Sequence, residues 1–121
     1  MPKATINTTS TKHDLVSAPP DGFVELKRRS YGDSLERRDI MMTLGIKGEG
    51  KDAESAMKLQ NRAVTAFEWA KSITGWNLVD ENDVQLDWHK ANIFDIIDPF
   101  IATEITQAIA DMHAYENELG K

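Results

Sequence analysis

Residues 73–86 constrain the fold more than any other part of the chain, because they place an acidic turn between two short apolar runs. In residues 56–73, apolar side chains recur at helical spacing, and Gly75 is a residue type that ends helices. Trp76 follows, and residues 80–83 then combine Asp, Glu and Asn side chains that favour a turn. The pattern predicts a helix end, an aromatic anchor and a hinge toward the C-terminal part.

The other segments are mostly helical in pattern, with a single strand. Residues 23–27 alternate apolar and polar side chains, which predicts a short half-buried strand that pairs near Leu78 or with residues 84–86. Helices are predicted from 30 to 44, from 52 to 73, within 88–97, and from Pro99 to about Leu119. The fold class is therefore mainly α with a short β element (α+β).

Residue types at the helix ends support these ranges. Asp98 followed by Pro99 predicts a helix start, because an Asp side chain caps backbone amides and Pro suits the first helical position. In the short helix before it, the side chains of Ile93, Phe94 and Ile97 are predicted to point inward. Further end residues are predicted as follows: Ser30 or Asp33 caps the first helix, Gly45 ends it, and Asp52 caps the second.

The N-terminal residues 1–20 differ from the rest in composition. They are rich in Thr, Ser, Lys and Pro, and they contain few large apolar side chains that would offset the entropy cost of ordering. Residues 19–22, with the sequence Pro-Pro-Asp-Gly, are strong turn residues. The predicted organisation is a flexible arm at 1–20, one helical domain at 21–119 and a short tail at 120–121.

Composition limits the classes of function. The chain has 121 residues and no cysteine, which excludes disulfides, thiolate metal sites and cysteine nucleophiles. No apolar run approaches the roughly 20 residues that cross a bilayer, and the first residues do not form a secretory signal. We expect a cytoplasmic protein that does not bind membranes.

Charge is distributed unevenly along the chain. Residues 1–75 carry 12 basic and 10 acidic side chains, whereas residues 76–121 carry 2 basic and 10 acidic ones. Nucleic-acid binding through the C-terminal part is therefore not expected, because phosphate contacts need clustered Lys and Arg. An acidic surface of this kind either meets a basic partner or keeps the protein in solution.

No catalytic or metal-binding motif is visible in the sequence. Counted from Asp80 as a calcium loop, the sixth position is Gln85 and the twelfth is Ala91, where an EF-hand needs Gly and Glu. The three histidines, at positions 13, 89 and 113, lack ligand spacing and are expected to face solvent. We therefore predict a protein that is not an enzyme, with no catalytic residue, cofactor or metal.

Aromatic, aliphatic and basic side chains are candidates for contacts with a partner. Three Trp residues lie within 20 positions of one another, and exposed aromatic side chains are favoured contact anchors; alternatively, all three close a small core. The two adjacent arginines at positions 37 and 38 either contact an acidic partner or form ion pairs with Glu36 and Asp39. The residues predicted to bind a partner are Trp69, Trp76, Ile101, Ile105, Ile109, Met112, Arg37 and Arg38.

Several of these segments, in this order, resemble the tail assembly chaperones of long-tailed (siphophage-type) bacteriophages. The carrying residues are Phe23-Val24-Glu25-Leu26-Lys27, Tyr31-Gly32, Glu36-Arg37-Arg38-Asp39, Trp76-Asn77-Leu78-Val79-Asp80-Glu81-Asn82 with Leu86 and Ile93, and Ile101-Ala102-Thr103-Glu104-Ile105. Together they span about 21–119. One departure is Asp83, which stands where that family usually has the Gly that permits positive φ, although Asn82 could take that role.

The resemblance implies a non-enzymatic function in virion assembly. Such chaperones bind the tape measure protein, keep it soluble and help to recruit tail tube subunits, and they self-associate along the tape measure. They act in the host cell cytoplasm and are not expected in the mature virion. The final Gly120-Lys121 is similar to the dipeptide encoded at the programmed frameshift site of the short form of these proteins.

Two other hypotheses stay open at this point. The first is a head-tail connector or tail terminator subunit, which would have more strand and form rings. The second is a small adaptor domain that binds a protein partner without any phage context.

Overall fold

The computed structural model describes residues 4–6, 9–46 and 53–114, and it describes their side chains except at 44–46 and 53–60. Seven helices and strands lie within these residues. The strands are β1 (Thr11–Asp14), β2 (Phe23–Leu26) and β3 (Ile73–Trp76). The helices are α1 (Tyr31–Ile46), α2 (Ala53–Ser72), α3 (Ile93–Ile96) and α4 (Pro99–Met112). The predicted α+β class is confirmed, with three strands where one was expected.

The three strands form an antiparallel sheet in the order β1-β2-β3. The predicted strand β2 is confirmed, and so is a partner near Leu78, because Val24 pairs with Trp76 and Phe23 O accepts from Asn77 N. The alternative partner at 84–86 is wrong, and the pairing with β1 was not predicted. Strand β3 begins directly after α2, which stops at Ser72, because Ile73 and Thr74 are both β-branched and favour a strand. Gly75 therefore does not end the helix but lies in β3 opposite Glu25.

The prediction of a flexible arm is wrong for residues 11–20. Strand β1 pairs with β2, and Leu15 is buried in the core. Backbone hydrogen bonds then close the turn, from Leu15 N to Gly22 O at 2.8 Å and from Gly22 N to Ala18 O at 2.9 Å. A side chain at Gly22 would collide with Ala18, so the predicted turn residues do mark this turn. Sheet hydrogen bonds and one buried leucine thus order a segment whose composition is polar.

A single core forms where α2, α4 and the sheet meet. Trp69 of α2 and both Ile105 and Ile109 of α4 have no exposed surface. The predicted inward positions are confirmed for Ile93 and Ile97, while Phe94 is partly buried against the same cluster. The buried members are Leu15, Val24, Leu26, Trp69, Ile73, Trp76, Leu78, Ile93, Ile97, Ile105 and Ile109.

The predicted first residues of the helices agree with the structure better than the predicted last residues do. The Ser30 hydroxyl accepts from Asp33 N at 3.1 Å, and the Asp98 carboxylate accepts from the amides of Phe100 and Ile101 at 2.8 and 3.3 Å. Helix α1 continues through Gly45, so the predicted end there is wrong. Helix α3 is a single turn preceded by turns at 88–92, so the predicted helix within 88–97 is shorter than expected. The predictions at Asp52, Leu119, Gly120 and Lys121 lie outside the described residues.

Glu104 of α4 ties the β1 segment to the helical part. Its carboxylate accepts from Val16 N at 3.0 Å, from Ser17 N at 2.9 Å and from Ser17 Oγ at 2.6 Å, and it lies 3.1 Å from His13 Nε2. The Ser17 hydroxyl, aided by the backbone amides of Ser17 and Val16, lowers the pKa of Glu104 to about 2 even though partial burial opposes this. The folded state therefore stabilises the charged form of the Glu104 carboxylate.

The core assignment of α4 predicts unequal effects of two truncations in the same helix. Ile105→Ala should lower the free energy of unfolding by about 2 to 5 kcal/mol, because Ile105 is fully buried. Phe100→Ala should change it by less than about 0.5 kcal/mol, because 77% of Phe100 is exposed. Urea unfolding followed by circular dichroism measures both, and similar losses in the two variants would contradict the assignment.

The Glu104 tether predicts a pH-dependent loss of stability. Glu104→Gln should lower the free energy of unfolding by about 1 to 2 kcal/mol at pH 7, because charged acceptors make stronger hydrogen bonds. The pKa of Glu104 is lowered from 4.5 to about 2 on folding. Its contribution is therefore complete above pH 4.5 and disappears as the pH falls toward 2.

The measurement is urea unfolding of both proteins between pH 7 and pH 2. The difference between them should shrink across that acidic range. Asp111→Asn, which removes an exposed charge from the same helix, is the control and should show a smaller difference at pH 7. A Glu104→Gln effect that persists at pH 2 would count against the tether.

Candidate partner-binding groove

Both Trp residues predicted to bind a partner lie in the core. Trp69 donates its indole N–H to Thr106 Oγ1 at 3.1 Å, and its ring packs edge-on against Trp76 and Phe94, with centroids 5.9 and 4.9 Å apart. Trp76 donates to Leu86 O at 2.8 Å and packs edge-on against Trp88. The core alternative therefore describes Trp69 and Trp76, and neither offers a contact surface in this structure.

The predicted stripe on α4 is divided between core and surface. Ile105 and Ile109 are fully buried, so they stabilise the fold and are not accessible to a partner. Ile101 and Met112 are half-buried at the edge of the core, and Ile101 also lines a groove at the surface. An inward helical stripe and a partner-binding stripe have the same spacing in a sequence, which is why the two could not be separated there.

The two arginines predicted to contact a partner have different surroundings. Arg37 Nε donates to Glu68 Oε1 of α2 at 2.7 Å, and both side chains are largely buried, so this arginine joins α1 to α2. The alternative prediction, that this arginine forms ion pairs with Glu36 and Asp39, is therefore wrong, because its partner lies on another helix. Arg38 is exposed on α1 and is not among the residues that line the groove described below.

His113 is buried, so the expectation that all three histidines face solvent is wrong for this one. Its Nε2 accepts from Arg29 N at 2.9 Å, and its Nδ1 lies 2.8 Å from Ile109 O, which requires the Nδ1–H tautomer. His113 therefore joins the segment before α1 to the C-terminal end of α4. His89 is exposed, and His13 is half-buried beside Glu104.

An open groove lies between the loop at 78–86, α3 and the first turn of α4. It has a volume of about 610 Å³. Its most buried lining residues, Leu78 and Ile97, are apolar, whereas its three acidic residues are exposed and form its rim, and we call it the acidic groove. The apolar members are Leu78, Val79, Leu86, Ile96, Ile97 and Ile101, and the acidic ones are Asp80, Glu81 and Asp98.

One wall of the acidic groove is a tight acidic turn. Asp80 N donates to Val84 O at 2.8 Å, and the Asp80 carboxylate accepts from Asn82 N and Val84 N at 2.8 and 3.1 Å. Leu86 N donates to Leu78 O at 3.0 Å, which closes the base of the turn. Asp83 has φ of 62°, so it adopts the left-handed conformation itself, and Asn82 does not take that role.

The opposite wall is set by the junction of α3 and α4. Ile97 and Asp98 are both extended, with ψ of 147° and 129°, so the chain leaves the helical path between the two helices before Asp98 caps α4. Ile97 is buried at this junction, whereas Ile96, one position earlier, is 58% exposed. Across the groove, Val79 is 49% exposed above the buried Leu78.

This exposure is what distinguishes the groove from the core. A pair of large aliphatic side chains, Val79 and Ile96, lies at the surface beside further apolar groups, and such patches mark interaction sites. The groove is lined by carboxylates and aliphatic groups, without a nucleophile and base in contact. Within the described residues, no group of three or more His, Asp or Glu side chains is placed to hold a metal, and no helix is long and apolar enough to span a bilayer.

Sequence reasoning missed Val79 and Ile96 as surface residues. The signal at Ile96 was mixed, because position 96 lies on the same side of a helix as the inward Ile93, three residues before it, but on a different side from the inward Phe94, two residues before it. Val79 follows the buried Leu78 in an extended segment, where successive side chains point to opposite sides. Neither signal says that α4 completes a groove between them.

The backbone at Asp83 predicts that glycine suits this position better. Asp83→Gly should raise the free energy of unfolding by up to about 1 kcal/mol, because it relieves the positive φ. Asp83→Val should lower it by about 1 kcal/mol or more, because a β-branched residue is poorly tolerated there. Glu81→Gly is the matched control in the same turn, and urea unfolding should show it to be destabilising. Equal effects of the two Gly variants would contradict the left-handed assignment.

Comparisons of the chain with protein-family models, with curated proteins and with solved structures found no significant match.

Proposed function

We propose that this protein is a non-enzymatic tail assembly chaperone of a long-tailed bacteriophage, which binds the tape measure protein and keeps it soluble. The proposal rests on the resemblance of its strand, turn and last-helix segments to that class. The structural observation that supports it most is the open apolar groove formed by residues 78–86, α3 and α4. The groove includes part of the segment around Trp76 that carries the resemblance.

The shape of the acidic groove suits a helical ligand. A chaperone for a long helical protein needs a surface that covers the apolar side of an amphipathic helix, which docks through side chains spaced three and four positions apart. Val79 and Ile96 provide exposed aliphatic contacts on the two sides of the groove, and Ile101 continues the apolar surface onto α4. Burying these side chains against a ligand helix is favourable because it removes apolar surface from water.

The hydrogen bonds that hold the groove in place also support a binding role for it. Both walls are closed by hydrogen bonds that do not involve the exposed aliphatic groups, namely the Asp80 turn and the Asp98 cap. Val79 and Ile96 are therefore not needed to close the turn or to cap the helix. In the same proposal, recruitment of tail tube subunits and self-association along the tape measure use other surfaces of the protein.

Co-expression tests this function directly. The soluble yield of the tape measure protein from the same genome should rise several-fold when this chain is present, because its apolar helix faces are covered. The double variant Val79→Ser with Ile96→Ser should lose most of that increase. Soluble and pelleted tape measure protein are quantified by gel densitometry or immunoblot.

A matched control keeps the test specific to the groove. The double variant Val16→Ser with Met42→Ser removes two aliphatic groups that are 86% and 64% exposed elsewhere on the surface, and it should preserve the increase. Circular dichroism and urea unfolding verify that both double variants are folded. Equal soluble yields with and without the unmodified chain would refute the chaperone function.

A further inference from the structure

We infer that the acidic groove binds a cationic amphipathic helix, in which an apolar stripe is flanked by Lys or Arg. This inference rests on the proposed function and adds the chemical character of the segment that is bound. The apolar part of the groove alone would accept many amphipathic helices. Its charged rim decides among them.

The rim carries one sign of charge. Asp80 and Glu81 lie on the turn side of the groove, and Asp98 lies on the α4 side, so acidic groups border the apolar floor from both directions. Among the described residues that line the groove, none is Lys, Arg or His. A helix with acidic flanks would bring like charges together here, whereas Lys or Arg at those flanks would pair with the carboxylates.

Two of the three carboxylates are held in place by the backbone. The Asp80 side chain accepts from Asn82 N and Val84 N, and the Asp98 side chain accepts from Phe100 N and Ile101 N. Their positions are thus set before a ligand arrives, which reduces the entropy cost of forming ion pairs with it. A free surface carboxylate would have to give up its own mobility first.

Charge further from the groove acts in the same direction. Residues 76–121 hold 10 acidic and 2 basic side chains, so the groove lies in the strongly acidic part of the chain. A field of this sign raises the rate at which a cationic ligand associates, and that effect weakens with salt. The same field repels the phosphates of nucleic acid and of anionic membranes, which disfavours both as ligands of the groove.

Two synthetic helical peptides provide the probe. They share leucines at positions i, i+3, i+4 and i+7, and they differ only in having Lys or Glu at the flanking positions. The full-length protein should bind the Lys peptide at least about tenfold more tightly than the Glu peptide, measured by fluorescence anisotropy at low salt. The affinity for the Lys peptide should fall as NaCl is raised, because exposed ion pairs are screened.

Neutral isosteres then locate the effect. The variant Asp80→Asn, Glu81→Gln and Asp98→Asn removes three rim charges while it keeps the acceptor atoms of the turn and the cap. It should lose the preference for the Lys peptide. The control Asp21→Asn, Glu36→Gln and Asp39→Asn removes three exposed charges elsewhere and should keep the preference.

The outcomes separate this inference from the proposed function. Failure of both peptides to bind, equal or tighter binding of the Glu peptide, or loss of the preference in the control variant as well, would each overturn the cationic-helix inference. If the chain still raises the soluble yield of the tape measure protein in that case, the chaperone function stands without it. If the peptide preference holds but the tape measure protein is not solubilised, the groove has a cationic helical ligand that is a different protein.

Discussion

The fold depends first on the burial of Trp69 at the meeting point of α2, α4 and the sheet. The ring has no exposed surface, it packs edge-on against Trp76 of β3 and Phe94 of α3, and its N–H is bound to Thr106 of α4. One side chain therefore contacts three later elements, none of which is long enough to be stable alone. This packing also positions the groove, because Trp76 donates a hydrogen bond to Leu86 O on one wall and Phe94 belongs to α3 on the other.

Local signals predicted the starts of elements well, and long-range contacts decided the rest. Strand β2, the Ser30 and Asp33 pair, and the Asp98–Pro99 start all depend on residues close in sequence, so alternation and capping chemistry were sufficient. The pairing of β2 with β1 was not predictable in this way. It depends on Leu15 reaching the core and on Glu104, far along the chain, binding the backbone after β1.

The groove was predictable only in part for a related reason. Helical spacing identified the apolar side of α4, but it could not say that Ile105 and Ile109 face the core while Ile101 borders the surface. Exposed Val79 and Ile96 become one site because the turn at 80–83 and the extended junction at 97–98 place them on the lining of the same space. The acidic character of this region, in contrast, was visible in the sequence as a local excess of Asp and Glu.

The bonds of His113 and Glu104 have a consequence for how the chain reaches its folded state. Arg29 N bonds His113 across 84 positions, and Ser17 bonds Glu104 across 87, so two segments of the N-terminal part are tied to α4 and its C-cap. During synthesis from the N-terminus, the segments after β1 and before α1 emerge long before the residues of α4 and its C-cap that bond them. These two contacts therefore form only after α4 has left the ribosome, and closure of the core is a late event dominated by distant contacts.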